Sequence, residues 1–106
     1  MLSPSQSQQW NPDATIQVLV KRSEDGGRQT PIESGVYGCP LFIGDKGFDC
    51  RLLIDETLQP GALYELPVKF MNPAGALPLL SLGTAIALWE GQEIATGKVI
   101  ALNAQL

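Results

Sequence analysis

Glycine and proline recur so often along this chain that no apolar stripe at i, i+3, i+4 and i+7 persists for three helical turns. Eleven glycines and eight prolines cut 106 residues into short segments. Within those segments the apolar period is two, the signature of strands with one buried face. ATIQVLVKR, starting at Ala14, sets Ile16, Val18 and Val20 against Gln17, Leu19 and Lys21. FDCRLLI repeats the pattern, with Phe48, Cys50, Leu52 and Ile54 on one face and Asp49, Arg51 and Leu53 on the other.

Four further strands complete the set. CPLFI, residues 39–43, follows the turn-like SGVYG. LYELPVKFM, residues 63–71, follows a Pro60-Gly61 turn and aligns Tyr64, Leu66, Val68 and Phe70. Pro67 has no N–H to give to a ladder, which predicts an edge strand or a bulge there. TAIALW (84–89) and EIATGKVIAL (93–102) flank Glu90-Gly91-Gln92 and predict a hairpin, and Gly97 inside the last strand predicts a bulge. The one helical candidate, ALPLLSL, is short and split by Pro78.

Six short strands of this kind predict an all-β fold, a single closed six-stranded antiparallel barrel of Greek-key type. Closure follows because a small sheet apolar on both faces would otherwise expose adhesive edges. Residues 14–106 form the barrel. Residues 1–13 are mostly Ser, Gln, Pro and Asn with Trp10, a composition too polar to offset its own ordering entropy, and read as a loose tail whose Trp10 packs incidentally on the domain, with a partner anchor as the competing reading.

Composition then narrows function. The chain has no histidine, which removes the commonest general base and most zinc sites. Cys50 falls on the inward alternation, which favours core packing over catalysis, and two cysteines without a secretory signal read as buried free thiols, with a Cys39–Cys50 disulfide as the competing reading. Asp45, Asp49, Asp55 and Glu56 match no calcium-loop register. EDGGRQTP, residues 24–31, lacks the Gly-Lys-Ser/Thr ending of a phosphate loop, and no helix follows it. The expectation is a protein that is not an enzyme and holds no metal or cofactor. A net charge of -4 argues against a nucleic-acid face. With no apolar run of membrane-spanning length and no signal peptide at the N-terminus, the expected compartment is the cytoplasm.

The order EDGGRQTP, SGVYGCPLF, LQPGALYELPVKFMNP and GTAIALWEGQEIATGKVIAL resembles the C-terminal barrel, domain 3, of the translation elongation factor Tu family. That family carries Glu-Gly-Gly-Arg-His-Thr-Pro after its first strand, Gly-Tyr-Arg-Pro before the second, Met-Pro-Gly-Asp before a long central strand and a glycine-bearing closing hairpin. The match spans about residues 14 to 104. The resemblance implies that Gly26, Gly27, Arg28, Gln29, Thr30 and Pro31 form the loop that, in the family, faces the GTPase domain. Gln29 replaces the family histidine and Tyr37-Gly38-Cys39 loses the family arginine. The family's contacts to the T arm of aminoacyl-tRNA correspond to Asn72, Pro40 and Gly91, two of which lack the contacting side chain.

The resemblance therefore points to a stand-alone, non-catalytic protein-binding barrel from a bacterial source. Its partner would be a translation factor, a GTPase domain supplied in trans or a toxin. Residual binding to the acceptor or T arm of tRNA is the alternative. Arg28, on a glycine-rich turn, is the residue expected to meet a partner carboxylate, with a salt bridge to Glu24 or Asp25 as the competing reading.

Overall fold

The computed structural model describes residues 11–103. It is a closed antiparallel barrel of six strands: β1 (Ala14–Val20), β2 (Gly35–Ile43), β3 (Lys46–Ile54), β4 (Leu63–Phe70), β5 (Ala85–Trp89) and β6 (Glu93–Leu102). The order around the barrel is β1-β4-β3-β2-β5-β6, and β6 returns to pair with β1. β1 thus lies beside β4 rather than β2, the long-connection arrangement of a Greek key.

Alternation decides which side chains go inside. Ile16, Val18 and Val20 of β1, Cys50, Leu52 and Ile54 of β3, and Leu66, Val68 and Phe70 of β4 are buried, as their period predicts. Among the described residues no polar or charged side chain is buried. The interior is an apolar plug, so any recognition chemistry must lie on the outer wall or at the two ends.

One end, the loop end, carries the connections 21–34, 55–62 and 90–92. The other carries the Gly44-Asp45 turn and residues 71–84, where helix α1 (Pro73–Ala76) and a 3-10 turn (Leu77–Leu79) insert Ala76 and Leu80 into the core. Pro78 sits in the first turn of that 3-10 segment, which its missing N–H permits.

Three expectations change. β2 begins at Gly35, four residues before Cys39: Val36 and Tyr37 pair with Leu53 and Leu52, so SGVYG is strand despite its two glycines. β4 is neither an edge strand nor bulged at Pro67. Pro67 pairs with Thr15, while the β3–β4 ladder stops at Leu52↔Val68, so the prolyl ring stands one residue beyond the end of the ladder on that side. The barrel remains closed, but β3 and β4 splay apart towards the loop end.

Gly97 is not a bulge either. It pairs with Val18 on one side and Ile86 on the other, and the register shifts fall three residues to either side of it, where Ile94 and Ile100 are skipped. Glycine is required at 97 because a Cβ there would collide with the Gln17 carbonyl oxygen and stand 2.9 Å from the Val18 Cα. The barrel closes tightly along this line.

The residue before β1 is tied to the barrel. Asp13 accepts the Phe70 N–H with its carboxylate and the Asn103 N–H with its carbonyl, and its own N–H reaches the Val68 carbonyl. Asp13, immediately before β1, is thus hydrogen-bonded to β4 and to the end of β6, while Trp10 lies outside the described residues. Among the described residues no helix is long and apolar enough to cross a membrane.

Candidate loop-end recognition surface

The loop Glu24–Pro31 owes its shape to its two glycines. The 3-10 turn Ser23–Asp25 ends at Gly26, whose φ of 93° is left-handed and whose N–H reaches the Ser23 carbonyl at 3.1 Å. Gly27 is buried and presses on the Lys21 carbonyl, where any Cβ would clash. The chain can then double back and aim Arg28 across the barrel mouth.

Arg28 does not pair with Glu24 or Asp25. Its Nε donates to Glu90 at 2.8 Å and its Nη1 to the Pro31 carbonyl at 3.0 Å. The guanidinium also lies 5.9 Å from the Tyr37 ring centroid, and the Tyr37 hydroxyl donates to the second Glu90 oxygen. Both local acids serve Arg22 instead, Asp25 at 3.0 Å and Glu24 at 3.9 Å.

Glu90 is the residue that sequence reasoning missed. It lies 62 positions from Arg28, on the hairpin whose Gly91 has a φ of 73° and whose Glu90 N–H reaches the Gln92 carbonyl at 2.8 Å. Gln92 adds a second tie, from its side-chain amide to the Gly27 carbonyl at 3.1 Å. Lys21 and Glu93 close a third at 2.6 Å. The loop, the hairpin and the start of β2 are bound into one rim.

Electrostatics follow from that packing. Burial, then the hydrogen bond to Glu90 and its negative charge, push the Tyr37 hydroxyl far above its ordinary range. Arg28 is only about a quarter exposed, at 23%, with Glu90 at 43%. It serves as a clamp holding the rim together. Gln29 and Thr30 are exposed beside it, with Pro31 half-buried.

The positions implicated in tRNA contact do not converge. Gly91 is at the loop end, whereas Asn72 leads into α1 at the opposite end and Pro40 lies on the β2 wall. Pro40 and Asn72 flank β3, where Pro40 is paired with Asp49 and the backbone carbonyl of Asp49 accepts the N–H of Met71, leaving the Asp49 side chain on the outer wall. An exposed carboxylate thus stands between two of the three, where a phosphate would be repelled.

The remaining candidates are dispersed or inert. Asp45 is in the β2–β3 turn, Asp49 on the outer wall, and Asp55 and Glu56 beyond the end of β3. Cys39 and Cys50 are direct cross-strand partners with free thiols, and the Cys50 Sγ contacts the Cys39 carbonyl at 3.3 Å. Hydrogen bonding between the thiols and burial push Cys50 well above the usual thiol range, the reverse of what a nucleophile needs. The same hydrogen bond lowers Cys39, against an opposing burial effect. Compared with known protein families and with curated proteins, the chain has no match.

Proposed function

We propose that the protein is a non-catalytic protein-binding module resembling elongation factor Tu domain 3, contacting its partner through the loop end that carries Gly26–Pro31. The observation that carries this reading is the combination of a pre-formed rim with exposed apolar side chains around it. Leu19, Leu63, Val36 and Trp89, 37–59% exposed, sit on four strands at that end, beside a loop pinned by Arg28 and Glu90. Rigid backbone lowers the ordering cost of association, and exposed apolar groups supply contact area.

A partner that is a translation factor, a GTPase domain in trans or a toxin fits this reading, as does a cytoplasmic setting. Arg28 acts in it as the organiser of the rim, with one guanidinium nitrogen, Nη2, left without a hydrogen bond among the described residues.

The test is retention of proteins from native lysate on the immobilised domain, comparing wild type with Arg28→Ala and Glu90→Gln. Circular dichroism would establish that both variants keep the barrel. A protein retained by wild type and lost by both variants is the expected result. Salt-sensitive retention of tRNA, with no protein, would overturn the reading.

A further inference from the structure

Charge is distributed unevenly between the two ends of the barrel. The loop end has seven acidic residues, with Glu24, Asp25, Glu90 and Glu93 on the rim and Glu33, Asp55 and Glu56 beside it. Against them stand three basic residues, Lys21, Arg22 and Arg28, and each is already engaged by an acid of the rim. That excess of four equals the net charge of the whole chain, and the other four acidic and four basic residues balance.

The uncompensated carboxylates are gathered by the fold. Ile32 and Leu58 exchange backbone hydrogen bonds at 2.8 and 3.2 Å, and Gly35 pairs with Ile54. Between these two bridges, Glu33 lies opposite Asp55 and Glu56, all three exposed and without an ion-pair partner among the described residues.

Two exposed apolar pairs lie on the outer wall near this acidic group. Val36, 52% exposed, is the cross-strand neighbour of half-buried Leu53 on the outer wall. Beyond the point where β3 and β4 splay apart, Leu63 and Leu19 form a second exposed cross-strand pair, with Glu65 exposed next to them. Of the basic residues on the outer wall, Arg51 has its guanidinium folded against Gly38 and donating to the Cys50 carbonyl, its cross-strand partner Lys69 donates to the Asn11 carbonyl, and Lys98 stands across Gln17 from Glu65, so the acidic side of the surface is the one that carries Glu33, Asp55 and Glu56.

We propose that the wall carrying the apolar pairs Val36/Leu53 and Leu63/Leu19, with Glu33, Asp55, Glu56 and Glu65 beside them, is a docking surface for a basic amphipathic segment of a partner protein, one that interleaves Lys or Arg with large apolar residues. The inference rests on the protein-binding reading above and specifies its partner chemistry. Apolar contact area without bordering charge would accept any sticky segment. The uncompensated carboxylates select a cationic one and steer its approach. Nucleic acid is disfavoured on this surface by the same charge.

The test is a titration of the 15N-labelled domain, followed by amide chemical shifts, with three synthetic peptides: alternating Lys-Leu, Lys-Ser and Glu-Leu. The Lys-Leu peptide is expected to saturate and to shift amides of residues 33–36, 53–56 and 63–65. Lys-Ser should bind more weakly and Glu-Leu not at all. A Glu33→Gln, Asp55→Asn, Glu56→Gln triple variant should weaken Lys-Leu binding about tenfold, three exposed ion contacts being worth that much together. Val36→Ser should weaken it without changing its salt dependence.

Shifts scattered over the whole surface, equal binding of Lys-Leu and Glu-Leu, or unchanged affinity of the triple variant would each overturn the proposal. The two readings separate cleanly. A lysate protein retained by wild type and equally by the triple variant, but lost by Arg28→Ala and Glu90→Gln, would refute the basic-segment inference and leave the binding module standing.

Discussion

Gly97→Ala is the substitution that most sharply probes how this barrel closes. Gly97 is paired on both sides, to Val18 of β1 and Ile86 of β5, so its backbone has no free edge towards which to retreat. The added methyl would overlap the Gln17 carbonyl oxygen and stand 2.8 Å from its carbon. Relief requires β1 and β6 to part by roughly an ångström, which strains the ladder at its tightest line. Overpacking of this kind costs about 1 to 3 kcal/mol and a weakened ladder hydrogen bond about 1 more, so a loss near 3 kcal/mol is expected. At about 4 to 8 °C per kcal/mol for a domain of this size, the thermal midpoint should fall by about 12 to 24 °C. Chemical denaturation followed by circular dichroism measures the free-energy loss directly. Gly91→Ala is the control: its φ of 73° carries a backbone penalty of about 1 kcal/mol, but nothing lies within 4 Å of the new methyl. A Gly97→Ala variant that loses less than Gly91→Ala would refute the claim that 97 is glycine because two strands touch there.

Four other outcomes are expected. A double-mutant cycle on Arg28→Ala and Glu90→Gln, read by urea unfolding, should give a favourable coupling of about 0.5 to 1 kcal/mol, since the pair is partly exposed and screened. Tyr37 has its folded-state pKa raised above the ordinary 10.0, so its stabilisation is present below pH 10 and is lost as pH rises beyond that value; Tyr37→Phe should flatten this alkaline decline in stability against pH. Leu52→Ala, at a fully buried site, should cost about 2 to 5 kcal/mol by chemical denaturation. A disulfide reagent at neutral pH should leave Cys50 unmodified in the native protein and label it in denaturant, as mass spectrometry would read.

Local chemistry fixes what a sequence can reveal here, and long-range geometry hides the rest. Strands β1 and β3 were legible because each alternates cleanly and buries one face. The closing hairpin was legible because Gly91 sits between two such runs. The start of β2 was not, because Gly35 and Gly38 are turn signals locally and strand residues only in the presence of β3. Gly97 was misread for a related reason: a glycine within a strand marks either a bulge or a close approach, and only the neighbouring backbone of Gln17 distinguishes the two. Arg28 was singled out from its loop, but its partner lies on a hairpin that sequence distance does not bring near. The clustering of Glu33 with Asp55 and Glu56 likewise exists only once the Ile32↔Leu58 bridge forms.

Recognition through the loop end requires that surface to be pre-formed in the free protein, held by the Arg28–Glu90–Tyr37 clamp. Amide hydrogen exchange, resolved residue by residue in wild type and Arg28→Ala, tests this most directly. The prediction is that the Gly26, Gly27 and Glu90 amides, which donate to Ser23, Arg22 and Gln92, exchange far more slowly than in an unstructured chain and lose that protection in the variant. Exchange of these three amides at unstructured rates in the wild-type protein would contradict it.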